Sequence, residues 1–170
     1  MTSQDFLFPV TVKNILFVCT GNCARSVIAA ALTRAALPKA GLDLEVESAG
    51  TRASAGQPAT ENTVKILAEH GVTLAPHQAK LCTPDLIKKA DLVLVMQKLH
   101  RNQVIAKVPA AARKTAVITD LCAEIQPWIK EMGVPDPMGM SYHFYENVYE
   151  LIEKSCSAVM TKIKESKIKP

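Results

Sequence analysis

Residues 14–26 read NILFVCTGNCARS, an apolar run that breaks abruptly into small and polar residues. Cys19 brings a thiol, an intrinsically good nucleophile. Arg25 brings a planar guanidinium that can grip two oxygens of one anion. Between them Gly21 and Asn22 suit a tightly curved loop, because both tolerate left-handed backbone. A loop of this kind between a strand and a helix turns backbone N–H groups toward a common centre, where the helix dipole adds positive field. Thr20, Gly21, Asn22, Cys23, Ala24, Arg25 and Ser26 are therefore the expected anion-binding residues. Cys19 is the expected nucleophile at the floor, with the Ser26 hydroxyl in reach of its sulfur. A Cys six positions before an Arg is a weak signal by itself. Its weight comes from the strand before it, the Gly-Asn pair inside it, the Ser behind it and the helix beyond. The competing reading is a buried Cys at a strand end followed by an ordinary turn.

Positioning such a loop requires a strand that ends at Cys19 and a helix that starts near Arg25. The sequence supplies both. NILFVC is a short buried strand, and the helix after it is expected over about 25–36. LEVESAG is a second strand ending at Gly50. ATENTVKILAEHG reads as a helix capped by Thr60 and stopped at Gly71, with Val64, Leu67 and Ala68 on one face. ADLVLVM is continuously apolar, as a strand covered on both sides must be. HRNQVIAKV reads as helical and TAVIT as a strand. A long final helix is expected over 141–164, with Phe144, Val148, Leu151, Ile152 and Val159 as its core face and Tyr142, Tyr145 and Tyr149 as its flank. Strand alternating with helix implies an α/β fold: a single-domain, doubly wound, four-stranded parallel sheet with helices on both faces. The anion-binding loop then follows the first strand, at the carboxyl edge where such sheets bind ligands. The domain is expected to span 1–170, with an N-terminal extension over 1–12 and a basic tail over 165–170.

Composition narrows the class further. The chain has 170 residues, is 48% hydrophobic and carries a formal net charge of +4. The basic residues are scattered, which gives no footprint for nucleic acid. No apolar run approaches the ~18 residues of a membrane span. Five cysteines without a disulfide-scaffold spacing read as free thiols in a cytoplasmic protein. His70, His77, His100 and His143 are far apart in sequence and read as capping or surface residues. No metal and no cofactor are expected.

FVCTGNCARS resembles the phosphate-binding loop of the low-molecular-weight protein tyrosine phosphatases and of their relatives, the thiol-coupled arsenate reductases. VESAGT, HGVTLAPHQAK, ADLVLVM and VPDPMG resemble further segments of that family, so the likeness extends over nearly the whole chain. It implies a cysteine-dependent phosphatase in which Cys19 forms a phosphocysteine, Arg25 clamps the anion and Asp136 is the general acid. His77 would make a structural hydrogen bond, and no metal would be needed. The implied substrate is protein phosphotyrosine by default, or a related small phosphoester or phosphoarginine. Ala24 departs from the family, which has a second cysteine there. Cys23, one position earlier, is left as a substitute thiol, a wall of the substrate site or a small apolar residue. The aromatics that line the cleft of tyrosine-directed members are replaced by TRASAGQPAT and by Met138 and Gly139, with Trp128 as a candidate lid. Two alternatives stand beside the phosphatase: an arsenate reductase served by an external cellular thiol, and an anion-binding or redox-sensing module without turnover.

Overall fold

Four short segments form the strands β1 (Asn14–Cys19), β2 (Glu45–Gly50), β3 (Leu92–Val95) and β4 (Thr115–Val117). They pair in the order β2-β1-β3-β4, all parallel, in a computed structural model that describes residues 6–168. Cys19 pairs with Gly50 at the carboxyl edge of β1, and Val18 pairs with Val95 on the other side. Strand order reverses between β1 and β3, so the loops after them diverge and leave a crevice at that edge. The expected doubly wound parallel sheet is present.

Side chains alternate between the two faces, as the pleat demands. Ile15, Phe17, Leu92 and Leu94 share one core with α1 (Arg25–Ala40), α2 (Glu61–Glu69) and α6 (Tyr142–Ile168). Leu16, Val18, Val93 and Val95 share the other with α3 (Pro84–Lys89) and α4 (Lys98–Lys107). A single buried residue such as Phe17 or Leu94 contributes about 1.5–3 kcal/mol.

Several boundaries and faces differ from expectation. The first helix runs on to Ala40 and closes on Gly41 in the left-handed conformation, φ 63°. Thr60 caps α2 by accepting from Thr63 N, but the buried stripe is Thr63, Ile66 and Leu67. Val64 is 48% exposed and Ala68 also faces solvent, so the expected face is one position out of register. Helix α3 was not expected, although Thr83 caps it through Leu86 N and Pro84 opens it. The fourth strand stops at Val117, where Ile118–Leu121 tightens into a 3-10 turn before α5 (Pro127–Met132).

On α6 Tyr142 stays on the flank, but the other two tyrosines are core. Tyr145 and Tyr149 are 2% and 1% exposed, whereas Phe144 and Leu151 are only partly buried. Each phenol keeps a partner for its hydroxyl, which makes the burial affordable. Tyr149 donates to Glu153 and stacks on His70 at 4.0 Å, and Tyr145 shares a hydrogen bond with Thr60. Residues 1–5 of the expected extension and 169–170 of the expected tail lie outside the described residues. The described part of the extension is packed, with Val12 buried and Leu7 N donating to Arg113 O. Among the described residues, no helix is long and apolar enough to cross a membrane.

Candidate active site

The strand delivers Cys19 to the crevice floor, 2% exposed, and Asn22 makes the turn above it. Asn22 has φ 56°, the left-handed conformation, while Gly21 does not, so only one of the two expected residues uses that freedom. Every polar group of Asn22 is engaged. Its N–H donates to Cys19 Sγ at 3.3 Å, and its Nδ2 donates to Ser26 Oγ at 3.0 Å and Ser48 Oγ at 2.9 Å. Its Oδ1 accepts from Lys80 N at 3.0 Å, and its carbonyl meets His77 Nε2 at 2.7 Å. The amide of Asn22 can only donate, so Ser26 Oγ accepts from it and keeps its own hydrogen for Cys19 Sγ, 3.0 Å away. The sulfur is thus the acceptor of two hydrogen bonds. Gly50 lets the cradle lie against β2: a Cβ there would come within 2.5 Å of Thr20 O and 2.9 Å of Asn22 N.

Helix α1 begins at Arg25 behind Ala24, which offers no side-chain cap. The first-turn amides therefore lack the capping partner that most helices have, a setting suited to an anion. Arg25 is 2% exposed, yet its fork is fully engaged. One arm, Nη1, donates to Gln97 Oε1 at 3.1 Å and Val134 O at 3.2 Å. The other, Nη2, donates to Thr20 Oγ1 at 3.3 Å and Asp136 Oδ2 at 2.5 Å.

The segment that carries Asp136 is pinned to the sheet by Gly133. This glycine has φ 71°, and a Cβ on it would stand 2.5 Å from Met96 O. Its closeness lets Val134 N bond Met96 O at 2.8 Å, bringing Asp136 to the guanidinium. Pro135 and Pro137 restrict the backbone on both sides of the carboxylate. The Asp136 side chain is 43% exposed, so it faces both Arg25 and the crevice mouth.

His100 overturns its expected surface role. It is fully buried on α4, with Nε2 2.9 Å from Thr20 Oγ1. Burial first, then the Arg25 charge, lowers its pKa from 6.5 to about 4, against an opposing pull from Asp136. The folded ring is therefore neutral where the unfolded one takes up a proton, so stability is full above 6.5 and falls toward 4. That shift amounts to roughly 3 kcal/mol. Urea unfolding across this range is expected to show the loss in wild type and a flatter acid limb in His100→Gln. Equal acid limbs would remove His100 as its source.

Cys19, Thr20, Asn22, Arg25, Ser26 and Asp136 thus meet in one network. Cys23 stands at its edge, partly buried, with Sγ donating to Gly21 O at 3.3 Å and its carbonyl accepting from Thr60 N at 3.0 Å. Burial and then the neighbouring Cys19 push its thiol pKa up. Ala24 is buried as the helix cap residue. His77 makes a structural hydrogen bond of the kind the resemblance implied. Trp128 is 65% exposed on α5, and Met138 is 56% exposed. Sequence reasoning missed Gln97, His100 and Ser48 as members of the network. A cleft of about 690 Å³ between α4, β4 and α5 contains none of these groups.

The family model for low molecular weight phosphotyrosine protein phosphatase matches residues 14–169. The chain is 33% identical over 143 residues to the low molecular weight protein-tyrosine-phosphatase Etp of Escherichia coli, covering 84% of this chain and 89% of that one. A solved Cys-to-Ser mutant of the YwlE arginine phosphatase, with a phosphorylated active site serine, superposes with a TM-score of 0.81. Its identity is 29%, and the match covers 89% of this chain and 96% of that one. The tyrosine phosphatase Wzb from Escherichia coli in complex with phosphate superposes with a TM-score of 0.76 at 30% identity, covering 90% and 99%. With that model spanning nearly the whole chain and relatives of this identity and coverage beside it, this chain belongs to the low molecular weight phosphotyrosine protein phosphatase family.

Proposed function

We propose that the protein hydrolyses phosphate monoesters of proteins, phosphotyrosine first among them, through a phosphocysteine on Cys19. The carrying observation is the doubly hydrogen-bonded Cys19 sulfur, at the floor of a loop whose Arg25 also contacts Asp136. Cys19 Sγ attacks phosphorus as the ester oxygen leaves on the opposite side. Arg25 and the first-turn amides of α1 hold the other phosphoryl oxygens, so developing charge meets fixed positive groups. Asp136, protonated, gives its hydrogen to the departing oxygen. The same carboxylate then takes a proton from water as that water attacks phosphorus. The S–P bond breaks, phosphate is released and Cys19 is regenerated. The phosphorylated active-site serine of the related YwlE mutant supports a phosphoryl group on this position.

Two features shape the choice of substrate. Met138 and Gly139 follow Asp136 closely, Met138 being 56% exposed, and one structural relative is an arginine phosphatase. These favour phosphoarginine as the second reading. Arsenate reduction needs another thiol to attack a Cys19–arsenic adduct. Buried Met96 occupies the end of the third strand, where thioredoxin-coupled reductases carry one, and burial raises Cys82 to about 11 and Cys156 to about 12. An arsenate reaction would therefore depend on an external cellular thiol. Five unpaired cysteines fit a reducing, cytoplasmic setting.

One purified sample, assayed side by side on an aryl phosphate, a phosphotyrosine peptide, a phosphoarginine peptide and arsenate with excess thiol, tests the reading. Hydrolysis of the phosphoesters is expected to exceed arsenate reduction. Reduction without ester hydrolysis would overturn it.

A further inference from the structure

The described hydrogen bonds around Thr20 leave one proton unassigned. Arg25 Nη2 can only donate, so Thr20 Oγ1 accepts from it at 3.3 Å. The second contact, His100 Nε2 at 2.9 Å, runs in either direction according to the tautomer. His100 Nδ1 is buried and has no partner. A neutral ring carries one N–H. On Nδ1 it would be a buried donor with nothing to receive it, a larger penalty than an unfilled lone pair. The N–H therefore belongs on Nε2, where it donates to Thr20. Both acceptor positions of Oγ1 are then filled, and its own hydrogen is free. Thr20 is only partly buried, and the Nη2 it touches is the arm of Arg25 that meets Asp136. The free O–H is therefore available beside the arm of Arg25 that the proposed function aims at the anion.

We propose that the Thr20 hydroxyl donates a hydrogen bond to the bound tetrahedral oxyanion, and that His100 is the positioning residue that reserves this hydrogen for it. With the opposite tautomer, the Thr20 hydrogen would be spent on His100 and the cradle would lose one donor. The inference rests on the loop being the anion site, as proposed above, and adds a binding contact from a side chain and a buried histidine that sets its direction. The backbone of Thr20 is anchored as well, since Arg52 N, just past the end of β2, donates to Thr20 O at 2.9 Å. With the backbone anchored and Oγ1 held between Arg25 and His100, the histidine sets only where the hydroxyl hydrogen points.

The test measures inorganic phosphate, both as a direct ligand by calorimetry and as a competitive inhibitor. A donor to a charged oxygen is worth about 10-fold to 100-fold in affinity. Thr20→Val is expected to weaken phosphate binding by that factor and to lower kcat/KM in parallel. Thr20→Ser, which keeps the hydroxyl, is expected to restore both. His100→Phe should reproduce the Thr20→Val loss, and the double variant should lose no more than either alone. His100→Gln, with an amide donor near the Nε2 position, should recover most of it. Nitrogen-15 spectra of labelled histidine in the wild-type protein should show His100 protonated on Nε2. Unchanged phosphate affinity in a folded Thr20→Val variant, or a His100 proton on Nδ1, would overturn the proposal. If the His100 variants fail to fold, the spectrum and the Thr20 pair still decide it. Direct phosphate binding keeps this question separate from turnover: a wild type that binds phosphate but hydrolyses no ester would sink the phosphatase reading alone.

Discussion

Cys19→Ser is expected to remove turnover, by on the order of 10³-fold or more, while phosphate or vanadate binding survives. The two losses separate because different atoms carry them. In the proposed site the anion is held by Arg25, the Thr20 hydroxyl and the first-turn backbone N–H groups of α1, none of which bonds the Cys19 sulfur. The nucleophile is the sulfur alone, and a serine hydroxyl in its place has no general base beside it. Its neighbours Ser26 and Asn22 are donors to that position, which suits an acceptor and gives no route for taking a proton away. Calorimetry with vanadate beside a steady-state assay makes the comparison. Near-normal hydrolysis by the Ser variant would mean that water, rather than Cys19, attacks phosphorus.

A second large effect separates the acid from the cradle. Proton transfer to a leaving group contributes ~10²–10⁴-fold, and most where the leaving group is poor. Asp136→Asn is expected to slow hydrolysis of an alkyl phosphate or phosphotyrosine peptide by that order. An aryl ester with an acidic phenol should suffer much less. The Asp136 carboxylate also contacts Arg25 and accepts from Met138 N at 3.3 Å, so the change has a structural side. Asn keeps the shape and one acceptor oxygen, which limits that side. The start of α6 is served by Ser141, whose Oγ accepts from Phe144 N at 3.3 Å, so helix capping by Asp136 is not needed to explain a loss. Equal losses on good and poor leaving groups, in a folded variant, would take Asp136 out of proton transfer.

Much of this architecture was legible in sequence because it depends on local signals. Apolar runs marked three of the strands, the alternation in LEVES marked the other, and Gly-Asn after a strand marked the cradle. Asp136 between two prolines stood out in the same way. The exceptions have a common physical origin. His100 and Gln97 reach the cradle across the sheet, from 72 to 80 positions away in sequence, and nothing in QKLHRN marks either side chain as inward. Tyr145 and Tyr149 look like flank because tyrosine carries a polar tip, yet the rings are buried and only the tips reach partners, Thr60 and Glu153, at the edge of the core. The face of α2 was misjudged by one position because threonine counted as polar, while Thr63 is fully buried with its hydroxyl bonded to Thr60. Gly21 was credited with a strained conformation that Asn22 alone adopts.

Arg25 is among the largest fully buried side chains in the protein, a cation set into the core rather than resting on it. An anion that reaches it binds only the folded chain, so product and fold are thermodynamically linked. At phosphate concentrations about 100 times the dissociation constant, the native state gains about 2.7 kcal/mol. The phosphate that competes with substrate is therefore also a thermal protectant. Inhibition and survival on heating become two readings of one equilibrium, and an inhibitor titration doubles as a melting curve.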